Sequence, residues 1–301
     1  MSEGIAVFSV PGLAEPCETW YRTVGEVNSS ATPLVILHGG PGVCHDYLLP
    51  LTDLSVPLIF YDQIGNGRST HLPEKNGDEA FWTVELFKAE LDNLMRHLGL
   101  QDRPVDVYGH SWGGILAAEW AVGASSSNLR RLILASSLAS QELWAVGTTA
   151  LRNKMPEAER AAFDKADETG DYESPEYLAA MEVFSKRHLS LARPWPAPEV
   201  QAALNCLAAD PTTHITMLGR NQLVATGSLK DWTIVSRLHK IAVPTLLIHG
   251  SEDMAQDVAM QPFFDLIHQV EWVKLDHAAH LSHVDKREKH MQVIDAFLAK
   301  K

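Results

Sequence analysis

The run Val105-Asp-Val-Tyr-Gly109-His-Ser111-Trp-Gly113-Gly-Ile-Leu-Ala-Ala-Glu-Trp120 reads as a strand, a corner and a helix in immediate succession. Residues 105–108 are mostly β-formers, residues 115–122 are helix-formers, and the corner between them has the spacing G-x-S-x-G. That context is the one a nucleophile elbow requires. The corner is so tight that its serine takes a strained backbone conformation and side chains two positions either side collide. Gly109 and Gly113 remove those side chains, and Gly114 lets the helix approach the strand. Ser111 is thereby predicted to stand over the edge of a sheet with the positive end of a helix beneath it.

The strands and helices around this run alternate. Segments 5–10 and 19–24 read as strands joined at Pro11-Gly12, and segments 33–37 and 57–61 as buried strands. The segment 83–98 is an amphipathic helix, with Val84, Phe87, Leu91, Leu94, Met95 and Leu98 at three-four spacing. Thr83 is its predicted cap, Trp82 a staple onto Phe87, and Gly99 its stop. After the elbow come strands 131–135, 246–249 and 270–275 and a final helix over about 286–298. Short apolar strands alternating with helices imply a mostly parallel sheet covered on both faces.

Residues 138–238 break the alternation. They read as helices over 156–167, 175–189, 198–207 and around 212–222, interrupted by Pro194-Trp195-Pro196-Ala197-Pro198. A helical insertion between two strands of a parallel sheet is expected to roof the strand ends, where ligands bind in open α/β folds. The expected organisation is therefore a core of residues 1–137 and 239–301 with a helical cap of residues 138–238.

Bulk composition narrows the partners. A chain of 301 residues makes one large α/β domain or one domain with an insertion. A formal net charge of −13 argues against nucleic acid and anionic membrane surfaces. Cys17, Cys44 and Cys206 are odd in number and show no metal or redox spacing, which favours a reducing compartment. No basic, apolar leader and no run long enough to span a bilayer is visible, so a soluble cytoplasmic protein is expected.

A serine nucleophile needs a base, an orienting acid and an oxyanion hole. In α/β-hydrolases the chain order is serine, acid, histidine. Strand 246–249 leads into Gly250-Ser251-Glu252-Asp253, so Asp253 is the expected acid, with Glu252 and Asp257 as fallbacks. The loop after the last strand holds His277, His280 and His283; His280 is the expected base because an apolar residue follows it and Asp285 lies five further on. His277 and His283 are read as solvated or hydrogen-bonded loop residues, and the other eleven histidines as having no special role. With no H-E-x-x-H and no nearby cysteine, no metal and no cofactor are expected. The oxyanion hole is assigned to the backbone N–H of Trp112 and one from Gly39 or Gly40, with His38 and Pro41 bracing that loop. The glycine-containing loop 62–69 lacks phosphate-loop features and is read as a buttress of the site.

Together, His38-Gly-Gly-Pro-Gly42 with His45-Asp46-Tyr47, Asp62-Gln63-x-Gly65-x-Gly67-x-Ser69, the Ser111-Trp112-Gly113-Gly114 elbow and Gly227-x-x-Lys230-Asp231-Trp232 resemble the prolyl iminopeptidase family of α/β-hydrolases. The resemblance spans nearly the whole chain. It implies a cofactor-free hydrolase with a helical cap that removes an N-terminal residue, often proline, from a short peptide or amide through an acyl-enzyme. It also implies Ser111, Asp253 and His280 as the triad.

One departure stands out. Family members hold the substrate ammonium with glutamates, because a buried cation needs a counter-charge. The aligned positions here are Gln222 and Met254, and Arg220 lies beside them. Glu252 and Glu182 are candidate substitutes, and Trp144, Trp195 and Trp232 candidate pocket walls. Two activities follow as expectations: an iminopeptidase or amino-acid amidase needing a free amine, and an esterase, amidase or lactonase acting on a neutral small molecule. A non-catalytic binding protein is the third reading, disfavoured by the complete set of catalytic residue types. Epoxide hydrolases and dehalogenases need a carboxylate where Ser111 stands.

Overall fold

The computed structural model describes residues 1–123 and 127–300. Eight strands form one sheet: β1 (Ser2–Phe8), β2 (Cys17–Val24), β3 (Leu34–Leu37), β4 (Leu58–Tyr61), β5 (Val105–His110), β6 (Leu129–Ala135), β7 (Thr245–Gly250) and β8 (Val270–Leu275). Their order is β1-β2-β4-β3-β5-β6-β7-β8, and only the β1–β2 and β2–β4 pairings are antiparallel. The central strands are mostly apolar because both faces are covered. Val35, Leu37, Ile59, Val107, Leu132 and Leu247 point to one face, and Leu34, Ile36, Phe60, Tyr108, Ile133 and Leu246 to the other. That is the period of two that a pleated strand imposes.

Helices α1 (Val84–His97) and α2 (Trp112–Ala121) pack on the first face. Thr83 caps α1 by accepting from Leu86 N at 3.2 Å, and Trp82 stacks on Phe87 with centroids 6.0 Å apart. Such a cap is worth about 1 kcal/mol. After β6 come α3 (Gln141–Arg152), α4 (Glu157–Thr169), α5 (Pro175–His188), α6 (Pro198–Ala209) and α7 (Thr212–Met217). The roof has its own small core, in which Leu151, Phe163, Tyr177, Met181 and Phe184 pack together. The ends of the 138–238 segment differ: Leu138, Ala139, Leu229 and Ile234 pack into the core of the sheet. The chain finishes with α8 (Asp257–Leu266), the short α9 (Ser282–Asp285) and α10 (Arg287–Leu298), of which α10 covers the second face together with a 3-10 helix, His45–Asp53.

Sequence periodicity missed α3 and α8. In α3, Gly147, Thr148 and Thr149 have low helix propensity; a Cβ on Gly147 would lie 3.0 Å from Gln256 Cβ, so glycine there lets α3 lie close to the segment leading into α8. The helix expected over 212–222 stops at Met217, since Gly219 has φ +94°. Among the described residues no helix is long and apolar enough to cross a membrane.

Candidate active site

The elbow is as tight as its glycines imply. Ser111 has φ 55° and ψ −118° and is the residue from which α2 starts. A Cβ on Gly109 would lie 2.2 Å from Gly113 O, and one on Gly113 would lie 2.1 Å from Leu37 O. One on Gly114 would meet Ser137 Oγ at 2.4 Å, so this glycine clears the turn after β6. Ser111 N donates to Ala135 O at 2.9 Å, which ties the corner to the neighbouring strand.

Three parallel strands of the one sheet, with β6 standing between the first two, end at the same edge and present the candidate residues: Ser111 after β5, Asp253 after β7 and His280 after β8. Asp253 Oδ1 accepts from His280 Nδ1 at 2.7 Å and from Ala255 N at 2.7 Å. Asp253 is fully buried, which pushes its carboxyl up; the charge and hydrogen bond of His280, helped by His249, more than offset this and leave it below its ordinary value. Of the fallback acids, Glu252 is exposed and Asp257 pairs with Lys274 at 2.6 Å. His280 and Ser111 line the same cavity. Ser111 Oγ has no hydrogen-bond partner among the described residues; in unliganded hydrolases this contact commonly tightens only when substrate binds.

The cap fixes both loops from above. His188 O, at the end of α5, accepts from Met254 N at 3.2 Å and His280 N at 3.1 Å, and Leu189 O accepts from Leu281 N at 2.8 Å. Asp285 binds Ala279 N at 2.8 Å with one oxygen and Ser190 Oγ at 2.6 Å with the other. His277 is exposed, whereas His283 is fully buried and bonds Tyr47 O at 3.0 Å.

Three further histidines serve the site: His38, expected to brace the glycine loop, and His214 and His110, which were read as having no special role. His38 uses Nε2 to accept from Gln63 N at 3.0 Å, so its Nδ1–H donates to Gly39 O at 2.9 Å. His214, on α7, bonds Pro41 O at 3.0 Å and so docks the cap on the glycine loop. His110 belongs to a directional chain. Its Nε2–H donates to His280 O at 3.0 Å, so its Nδ1 accepts from Tyr47 O–H at 2.8 Å, and Tyr47 in turn accepts from Gly39 N–H at 2.7 Å. Burial, with His280 next to it, pushes His110 down to about 3, so it stays neutral and keeps that tautomer. This network was invisible in the sequence because its members are far apart along the chain.

The chain has a consequence for the oxyanion hole. Gly39 N–H is already committed to Tyr47, while Gly40 N–H and Trp112 N–H have no acceptor among the described residues. Gly40 has φ +105°, a conformation that glycine takes without penalty. The 62–69 loop supports the pair: Gln63 Oε1 accepts from Trp112 Nε1 at 2.8 Å, and Asp62 accepts from His45 N and Nδ1, each at 2.8 Å.

The cavity occupies about 190 Å³ beneath the cap, with a smaller chamber of about 50 Å³ beside Ser111. Gln222, Met254 and Trp144 line it, as the sequence suggested. Trp195 and Trp232 do not. The Trp232 indole donates to Glu119 at 2.8 Å and packs on the sheet's core, while Trp195 packs against the second cluster beside α6. Arg220 faces away and pairs with Glu173; Glu182 pairs with Lys186, and Glu252 sits outside the cavity. Among the described residues, no carboxylate, lysine or arginine lines either chamber.

A mostly parallel sheet, an elbow serine, a helical cap and a cavity over the strand ends define the class, and the match agrees. Residues 32–287 fit the model of the alpha/beta hydrolase fold, and the chain belongs to that family. It is 32% identical over 286 residues to the proline iminopeptidase of Lactobacillus helveticus, covering 93% of this chain and 94% of the relative. Among solved structures, the Mycobacterium smegmatis proline iminopeptidase is 34% identical with a TM-score of 0.87, over 98% of this chain and 97% of that one. The crystal structure of VinJ is 36% identical with a TM-score of 0.91, over 98% of both chains. The protein is thus a prolyl-iminopeptidase-like hydrolase.

Proposed function

We propose that Ser111, His280 and Asp253 form a serine-hydrolase triad that cleaves an amide or peptide bond of a small substrate. The observation that carries this reading is the buried 2.7 Å bond between His280 Nδ1 and Asp253 Oδ1 beside a cavity that also holds Ser111. That bond leaves His280 Nε2 as the proton acceptor. Nε2 takes the Ser111 proton, Oγ attacks the carbonyl, and the N–H groups of Trp112 and Gly40 stabilise the oxyanion. His280 then protonates the departing amine, and water releases the acyl group by the same route. Losing one oxyanion donor typically costs roughly 10²–10³ in turnover.

The substrate of first choice is an N-terminal proline, as in the relatives' names, or an amino-acid amide. A second reading, a neutral ester, amide or lactone, is favoured by the absence of a carboxylate among the described cavity residues. A charged ammonium buried there without a counter-charge costs several kcal/mol. The amine of an iminopeptidase substrate would instead meet walls that include Gln222 and the aromatic ring of Trp144. Prolyl anilide, its N-acetylated form and a short-chain nitrophenyl ester discriminate the readings. Preference for the free amine supports iminopeptidase action, and indifference to it supports the neutral substrate. The free cysteines support a cytoplasmic location, and the acidic net charge supports a small-molecule or short-peptide partner rather than nucleic acid or membrane.

A further inference from the structure

Cys44 follows the glycine loop that carries Gly40, and Cys206 lies on α6, whose Val200, Ala203, Leu204 and Leu207 wall the cavity. Both cysteines are free, and the fold brings their sulfurs and a carboxylate oxygen of Asp46 within 4.8 Å of one another. One thiol belongs to the sheet-bearing core and the other to the cap, so their spacing along the chain gave no sign of the pairing. Cys44 is fully buried and Cys206 half-buried. Cys44 Sγ donates to Asp46 Oδ2 at 3.1 Å, while Arg68 grips both oxygens of that carboxylate at 2.8 and 3.0 Å. A carboxylate already neutralised by a bidentate arginine is a poor third ligand for a metal, so the cluster suits thiol chemistry better.

The two sulfurs are also unequal. The neighbouring Cys44 thiol holds Cys206 below its ordinary value, while Cys206 and burial push Cys44 up, so the accessible sulfur is the more easily ionised one. The sulfurs, within 4.8 Å of one another, must close to about 2 Å to bond.

We propose that Cys206 and Cys44 form a peroxide-responsive thiol pair, oxidised to an intramolecular disulfide that staples α6 of the cap to the glycine loop of the core. The Cys206 thiolate attacks one oxygen of hydrogen peroxide, the O–O bond breaks, and hydroxide leaves, giving the sulfenic acid. Cys44 loses its proton and its sulfur attacks Cys206 Sγ; the S–O bond breaks and hydroxide departs. Two thiols and one peroxide become one disulfide and two waters, the thiols losing the two electrons that the peroxide gains. The bond spans cap and core, so it restricts the unfolded chain and ties one cavity wall to the loop bearing Gly40.

The test is graded hydrogen peroxide on the full chain, followed by alkylation of remaining thiols, proteolysis and mass spectrometry. The expected result is a peptide pair joined through Cys44 and Cys206, an intact mass lower by two hydrogens, an unmodified Cys17, a raised Tm, and full reversal by dithiothreitol. Cys206→Ser abolishes the link, and Cys44→Ser stops Cys206 at a sulfenic acid that dimedone traps. The proposal is overturned if Cys44 stays alkylatable while Cys206 proceeds to sulfinic acid or links two chains. It is equally overturned if the purified protein carries stoichiometric zinc that Cys206→Ser removes. None of these readouts depends on which substrate the enzyme turns over.

Discussion

Gln222→Glu puts a negative charge where the cavity has none. Gln222 lines both chambers, its side chain is accessible, and the change is isosteric, so folding is spared. The carboxylate joins a site whose described walls carry no lysine or arginine to neutralise it, because Arg220 is turned to Glu173. Two unit charges about 4 Å apart attract by about 4 kcal/mol at an effective dielectric of 20. Desolvation of both groups consumes a large part, leaving about 1–2 kcal/mol, or roughly a 5–30-fold gain in kcat/KM. The gain belongs to substrates with a free ammonium alone. The assay is the ratio of kcat/KM for prolyl anilide to that for N-acetylprolyl anilide, in native and variant enzyme. It is expected to rise by about tenfold, mostly through KM, and to shrink as salt is added. A ratio that stays constant or falls would refute the idea that the amine of the substrate sits beside residue 222.

Ser111→Ala is expected to leave Tm nearly unchanged and reduce turnover to near background, since it removes only an unpartnered hydroxyl; comparable Tm scans and burst kinetics check this. Tyr47→Phe strands two buried groups, Gly39 N–H and His110 Nδ1, and is expected to lower stability by roughly 2–4 kcal/mol in urea unfolding. The same variant should lower kcat about tenfold with little change in KM, because the oxyanion loop and His280 lose their shared anchor. Glu90 is fully buried, bonds Thr19 Oγ1 at 2.6 Å and Ile64 N at 2.9 Å, and burial pushes its carboxyl up to about 8. The folded state therefore holds that proton when the unfolded chain has released it, so stability falls as pH rises from the ordinary carboxyl value toward 8. Glu90→Gln is expected to be near-neutral at pH 4 and increasingly stabilising above it, by at most about 1.4 kcal/mol per pH unit, as read from Tm at a series of pH values.

Much of the fold was legible because it is written in local patterns. Strands buried on both faces must be continuously apolar, and the amphipathic period of α1 and its Thr83 cap are properties of adjacent residues. Where propensity was weak, as at Gly147-Thr148-Thr149 in α3, tertiary packing made the helix and the pattern did not reveal it. The elbow was equally legible, since steric exclusion at Gly109 and Gly113 acts over a few bonds around Ser111.

What the chain alone determined was the set of reactive groups and the loops that carry them: Ser111, an acid in 252–257 and a histidine in 277–283. Register and direction were decided in three dimensions. Whether Asp253 or its neighbour meets His280, which glycine N–H is left free, and whether Trp232 faces the cavity or Glu119 depend on contacts between residues over a hundred positions apart in some cases. So does the empty charge balance of the cavity, because Arg220, Glu182 and Glu252 are drawn outward by solvent and by partners of their own. The physical reason is common to all of them. A side chain's reach is a few ångströms, and sequence specifies which groups exist, whereas only packing specifies which of them come within that reach.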